Sequence, residues 1–164
     1  MQFVRTASVL LASLTLLACS GSSKVRKPAD LVNLTNQVDL VEVWSASVGG
    51  SVPANFRPVV ADDHVFAASM RGTLSKLNIQ TGRAVWEVSV PEKLSIGPGS
   101  DGKTTVAISS EGNVFAYDEA GKNIWKSSIG SEVLSDPIVA GGIVVIRTLD
   151  NRFIGLDAAS GKRR

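Results

Sequence analysis

Leu77-Asn78-Ile79-Gln80-Thr81-Gly82-Arg83-Ala84-Val85-Trp86 is the stretch whose reading decides the fold. An apolar run ends at Leu77, and Asn78 can turn its side-chain oxygen onto amides ahead of it. Thr81 can do the same more weakly, and Gly82 can take the positive-φ position that closes a tight turn. A new apolar segment then carries Trp86. The grammar recurs in Tyr117-Asp118-Glu119-Ala120-Gly121, which leads to Trp125, and again in Leu156-Asp157-Ala158-Ala159-Ser160-Gly161. Trp44, in Val41-Glu42-Val43-Trp44, ends the same kind of segment one period upstream.

Working outward from these turns, three segments align: Pro58 to Trp86, Pro98 to Trp125, and Pro137 to Arg164. In each, the proline stands fourteen places before Gly72, Gly112 or Asn151. The period is about forty residues. Within a unit the pattern is strand, turn, strand, turn, strand. Unit one reads Val59 to Ala61, a turn at Asp62-Asp63, His64 to Ser69, a turn at Arg71-Gly72, and Thr73 to Leu77. Unit two follows with Thr104 to Ser109, Glu111-Gly112 and Asn113 to Tyr117; unit three with Gly141-Gly142, Ile143 to Thr148, Asp150-Asn151 and Arg152 to Leu156. The apolar residues alternate or run continuously over four to six positions, as half-buried or buried strands do. A four-stranded unit of this length, repeated, predicts an all-β fold of β-propeller blades. One blade cannot bury both faces, so its neighbours must. Trp44, Trp86 and Trp125, with Gly82, Gly121 and Gly161, are therefore expected to be structural, packing blade on blade. An aromatic binding site is the functional alternative.

The first residues read differently. Arg5 precedes an apolar run from Val9 to Ala18, broken by Ser13 and Thr15 and followed by Cys19. The run is too short to span a bilayer, which takes about 20 apolar residues, and suits a removable secretory signal over residues 1–18. Leu16-Leu17-Ala18-Cys19 resembles a lipobox, the signal in which the cysteine is joined to diacylglycerol before cleavage. Cys19 is the sole cysteine, so no internal disulfide can form, and lipidation would remove a free thiol from an exported chain. The plainer alternative is an ordinary signal peptide with an incidental cysteine. Ser20, not Asp, follows, which in the enterobacterial sorting rule favours the outer membrane, facing the periplasm. Residues 19–36, rich in Ser, Lys and Asn and without periodicity, read as a lipidated flexible tether ahead of a partial propeller over 37–164.

Composition excludes several classes. The chain has 17 Lys and Arg against 15 Asp and Glu, a net charge of +2. Nucleic-acid binders need a clustered basic surface, and this near-neutral balance has none, so no nucleic acid is expected as a partner. The 15 glycines and 5% aromatic content fit short strands and tight turns.

The units Leu77-Asn78-x-x-Thr81-Gly82-x-x-x-Trp86 and Leu156-Asp157-x-x-Ser160-Gly161 look like the repeat shared by pyrroloquinoline-quinone (PQQ) dehydrogenases and their non-enzymatic relatives. With the lipobox and the strand Glu42 to Gly49, the whole resembles the BamB family, lipoprotein subunits of the outer-membrane β-barrel assembly machinery (BAM complex). The motifs are generic to the repeat; their combination is specific. The resemblance implies an eight-bladed propeller in full-length members, of which this chain would be an amino-terminal part of about three blades plus a leading strand. It implies a scaffold that assists insertion of β-barrel proteins into the outer membrane. Its partners would be the periplasmic domains of the central β-barrel subunit and, through a lipid such as palmitate on Cys19, the membrane. No cofactor is implied, and docking residues are expected beyond Arg164. Two alternatives stand beside it: part of a PQQ-dependent dehydrogenase, or a propeller lipoprotein for another envelope component.

Gly97-Pro98-Gly99-Ser100-Asp101-Gly102-Lys103-Thr104 fits the P-loop pattern, which cradles phosphate only between a strand and a helix. Here Thr104 to Ser109 reads as a strand and Asp101-Gly102-Lys103 as a hairpin turn, so nucleotide binding is not expected. His64 is the single histidine and lacks ligand partners nearby, and Asp62-Asp63 is a turn. No catalytic residue, metal site or enzyme activity is expected.

Overall fold

The computed structural model describes residues 27–30, 40–50 and 55–164. The signal segment 1–18, Cys19 and all of the tether except 27–30 and its Pro28 lie outside the described residues. Residues 41–164 form one compact unit that holds all the described strands. No helix occurs among the described residues.

Among the described residues eleven strands form three antiparallel sheets. The first comprises β1 (Val59–Ala61), β2 (His64–Ala68), β3 (Thr73–Asn78) and β4 (Ala84–Ser89), in that spatial order. The second comprises β5 (Gly99–Ser100), β6 (Thr105–Ile108), β7 (Asn113–Tyr117) and β8 (Asn123–Ser128), again in sequence order. The third comprises β9 (Ile138–Ala140), β10 (Ile143–Arg147) and β11 (Phe153–Asp157). A bridge from Leu156 to Arg163 starts a fourth strand in the register that pairs Leu77 with Ala84 and Tyr117 with Asn123. This meander, repeated, is a run of β-propeller blades, as the forty-residue period predicted.

The blades stack through their faces. Strand alternation sends one set of side chains to each neighbour. In the second blade, Ala107, Phe115 and Tyr117 join the core shared with Ala68 and Leu74 of the first. The other set, Val106, Ile108, Val114 and Ala116, packs on Val144, Ile146, Ile154 and Leu156 of the third. Each large apolar side chain so buried contributes about 1.5–3 kcal/mol.

The outermost strands carry a feature that the sequence pattern alone did not reveal. Lys76 pairs with Trp86 and Leu77 with Ala84, so Val85 is an extra residue, a β-bulge. Ala116 pairs with Trp125 and Tyr117 with Asn123, which bulges Ile124. A bulge bends its strand and re-aims a side chain. Val85 and Ile124 point out, 53% and 41% exposed, and the tryptophan that follows turns toward the next blade. These two exposed apolar residues are thus a consequence of aiming the tryptophan.

Glu42 to Trp44 was expected to be a strand, but residues 40–48 belong to no ladder. The segment pairs with none of the described strands, and without ladder hydrogen bonds it does not count as β.

The innermost strands approach one another, β1 toward β5 and β5 toward β9. Gly99 makes this possible, because a Cβ there would lie inside the van der Waals envelope of the Pro137 carbonyl. Gly130, by contrast, has open space around its Cβ position. We therefore expect Gly99→Ala to cost about 2–3 kcal/mol through overpacking. Gly130→Ala, where only the positive φ is strained, should cost about 1 kcal/mol. Denaturant melts of the two variants check this; equal losses would refute the pinch.

Candidate functional site

The residues singled out in the sequence come together between blades. Trp44 Nε1 donates to the Ile79 carbonyl at 2.8 Å, Trp86 Nε1 to Glu119 at 3.0 Å, and Trp125 Nε1 to Ala158 at 2.8 Å. The acceptor in each case is the residue after Asn78, Asp118 or Asp157. These three side chains hold the turns. Asn78 Oδ1 accepts from the Thr81 amide (3.0 Å) and hydroxyl (3.0 Å), Asp118 Oδ1 from the Ala120 and Lys122 amides (3.0 and 2.9 Å), and Asp157 Oδ1 from the Ser160 amide and hydroxyl (3.0 and 2.8 Å). The Ser160 hydroxyl above all, with Arg164, holds the Asp157 carboxyl below the usual carboxylate range. The turn thereby presents one carbonyl to the incoming indole.

Glycine completes the arrangement. Gly82, Gly121 and Gly161 have φ of 66°, 81° and 69°. A Cβ on them would stand 2.5 Å from Trp44 Cε3, 3.0 Å from Trp86 Cγ and 2.6 Å from Trp125 Cε3. Each indole ring therefore lies flat on bare backbone of the following blade. Trp44, though outside any strand, occupies the same latch on the first blade.

A second blade-to-blade contact was not singled out from sequence. Glu92, in the loop after β4, reaches the second blade, where Lys126 Nζ lies 2.8 Å from its Oε1. Asn113 Nδ2 donates to both carboxylate oxygens, at 3.1 and 2.9 Å. Lys126 also sits 5.0 Å above the Phe115 ring. Hydrogen bonds from Lys126, Ser109 and Asn113 lower the Glu92 pKa from 4.5 to about 2. Nothing local marks this residue in the sequence, because every partner belongs to the next repeat.

The P-loop pattern is a hairpin. Gly99 and Ser100 form β5, Asp101 Oδ1 accepts from the Lys103 and Thr104 amides (3.1 and 2.7 Å), and β6 follows where a phosphate site would need a helix. His64 lies on β2 with its ring 6.5 Å from that of Phe66. Asp62 sits at the β1–β2 turn with φ 50°. Among the described residues no three His, Cys, Asp or Glu side chains are grouped to hold a metal ion.

The third blade presents a bare face. Phe153 is 71% exposed, whereas Leu74 and Val114 at the aligned positions are 0% exposed. Arg147 on β10 is exposed too, where the aligned Ala68 and Ile108 are buried. This face has the shape and register of a blade-to-blade contact.

A family model described as outer membrane protein assembly factor BamB matches residues 32–98 and 71–164. The chain belongs to the BamB family. It is 35% identical over 154 residues to the BamB of Burkholderia pseudomallei, covering 93% of this chain and 40% of that protein. To the BamB of Bordetella pertussis it is 38% identical over 162 residues, 97% of this chain and 42% of that one. The crystal structure of BamB from Moraxella catarrhalis superposes with a TM-score of 0.59 at 23% identity, over 68% of this chain and 34% of that one, a likeness of fold. The chain thus spans about two fifths of the length of these curated BamB relatives. The resemblance read from the repeat turns is a family relationship.

The Glu92 clamp has a pH signature. Its folded pKa is depressed, so its contribution is complete above the ordinary value of 4.5 and is lost as pH falls toward about 2. Lys126 is half exposed, which screens the pair, so we expect Glu92→Gln to cost about 1 kcal/mol at pH 7. The difference from wild type should shrink between pH 5 and pH 2; a difference independent of pH in urea melts would argue against the clamp.

Proposed function

We propose that this chain serves as a scaffold in the outer-membrane β-barrel assembly machinery, assisting insertion of β-barrel proteins without catalysing a reaction. The observation that carries the reading is the family relationship, which runs through the latched repeat that makes the fold. A stack of blades locked at every turn holds its loops rigidly, and rigid loops let a partner bind with little ordering cost. The chemistry agrees: the tryptophans and turn glycines of the repeat are engaged between blades, and Asn78, Asp118 and Asp157 are engaged within their own turns. The partner we assign is the central β-barrel subunit, engaged through its periplasmic domains by loops and blade edges, β-augmentation being one route.

We place the protein on the periplasmic face of the outer membrane, held by lipid on Cys19. One acyl chain binds only marginally, at about 0.8 kcal/mol per buried CH₂, whereas several make release negligible. Residues 19–36 would then act as a tether long enough to let the propeller reach its partner.

Affinity isolation of the intact protein from solubilised envelopes should recover the central barrel subunit, and labelled palmitate should enter the wild type. Cys19→Ala should remain as unprocessed, unlabelled precursor. Isolation that never recovers the barrel subunit contradicts the scaffold role, and normal maturation of the Cys19 variant contradicts the anchor.

A further inference from the structure

Arg57, Gly97 and Asp136 hold one position in three successive repeats, immediately before the proline that opens each inner strand. They meet across the second blade. A Cβ on Gly97 would lie 2.5 Å from the Arg57 carbonyl oxygen, 2.8 Å from the Arg57 amide nitrogen and 2.9 Å from Asp136 Oδ1. The absence of a side chain at Gly97 therefore brings an arginine of the first blade and an aspartate of the third to one spot. Beside them lies a cavity of about 140 Å³, lined by Asn55, Arg57, Ile96, Leu134, Ser135 and Asp136.

Two facts make this more than a gap between loops. Among the described residues, Asp136 Oδ1 is buried and has no hydrogen-bond partner. An unpaired buried acceptor costs roughly 1–3 kcal/mol, so its retention calls for an explanation. Arg57 does not supply the missing bond, since it forms no ion pair with Asp136 among the described residues. Burial pushes the Asp136 carboxyl above its ordinary range despite the opposing pull of Arg57 and the Gly97 amide. The cavity thus offers, among the described residues, an unsatisfied acceptor and a cation without an ion-pair partner. A cationic guest would be repelled by Arg57 and an anionic one by Asp136. A neutral group with one donor and one acceptor suits both.

We propose that this inner-rim cavity binds a carboxamide group of a partner polypeptide, Asp136 accepting its N–H and Arg57 donating to its carbonyl. The cavity is roomy enough for several waters, and so for one amide with its flanking carbons. Ile96 and Leu134 supply the apolar walls. The amide belongs either to an Asn or Gln side chain or to the main chain of an inserted loop. The site does not depend on the scaffold reading, because it can be probed with small amides in the absence of any partner.

The intact chain labelled with ¹⁵N-glycine gives a reporter at Gly97. Titration with N-methylacetamide, a main-chain mimic, or acetamide, a side-chain mimic, should produce a saturable shift of the Gly97 resonance while distant glycines such as Gly72 stay fixed. Whichever amide binds more tightly identifies the source. Methyl acetate, which accepts but cannot donate, should bind at least about tenfold more weakly, since a site built to receive a hydrogen bond rejects an analogue that lacks it. Asp136→Ala should lose the shift, and Arg57→Met should weaken it severalfold, with the other glycine resonances superimposing on wild type as proof of folding. No saturable shift with either amide, equal binding of methyl acetate, or a shift that persists in Asp136→Ala would overturn the proposal.

Discussion

The structure depends on one contact made three times: an indole N–H reaching a turn carbonyl of the next blade, with the ring laid on that turn's glycine. Trp44, Trp86 and Trp125 make it to Ile79, Glu119 and Ala158 at 2.8 to 3.0 Å. Three separate requirements meet there. The turn must present a free carbonyl, so Asn78, Asp118 and Asp157 occupy its amides. The ring must approach backbone, so the residue beneath it lacks a Cβ. The tryptophan must leave the plane of its own sheet, so Val85 and Ile124 are bulged. A change at any of the three disturbs the other two.

This contact explains how the fold propagates. The first two blades each carry the tryptophan at the outer strand and the receiving turn just before that strand, so they both give and receive, and the third receives Trp125 at Ala158. The apolar faces between the latches supply most of the burial free energy, while the latches fix angle and register. Glu92 adds a polar contact between the first two blades, bonding to Lys126 and Asn113. Among the described residues no blade packs on the outer face of the third, and Phe153 there is exposed at a position buried in its two predecessors.

Much of this was legible in the sequence because turn chemistry is local. Asn or Asp, then Ser, Thr or a small residue, then Gly, can be read without knowing what lies opposite. Three occurrences with tryptophans at the same spacing led to the blades and the family. What could not be read depends on pairing across strands or repeats. The bulges at Val85 and Ile124 exist only in the register of β3 with β4 and β7 with β8. Glu92 looks like an ordinary loop glutamate until the second blade is set beside it. Asp136 resembles a turn residue, although aligning it with Arg57 and Gly97 before the repeat prolines would have been a usable signal. The segment at Trp44 failed in the opposite sense: its strand-like pattern is real, but a strand also needs a neighbour.

The central claim, that each tryptophan is held by the following blade and not by its own, is tested most directly by hydrogen exchange of the three indole N–H protons. Trp86 is the informative case, because its ring is only partly buried and burial alone would leave its proton exchanging freely. We expect all three indole protons to be strongly protected, and Gly121→Ala to release that of Trp86 while Trp44 and Trp125 keep theirs. A Trp86 proton that exchanges at the rate of a free indole in the wild type, or that stays protected in Gly121→Ala, would contradict the account.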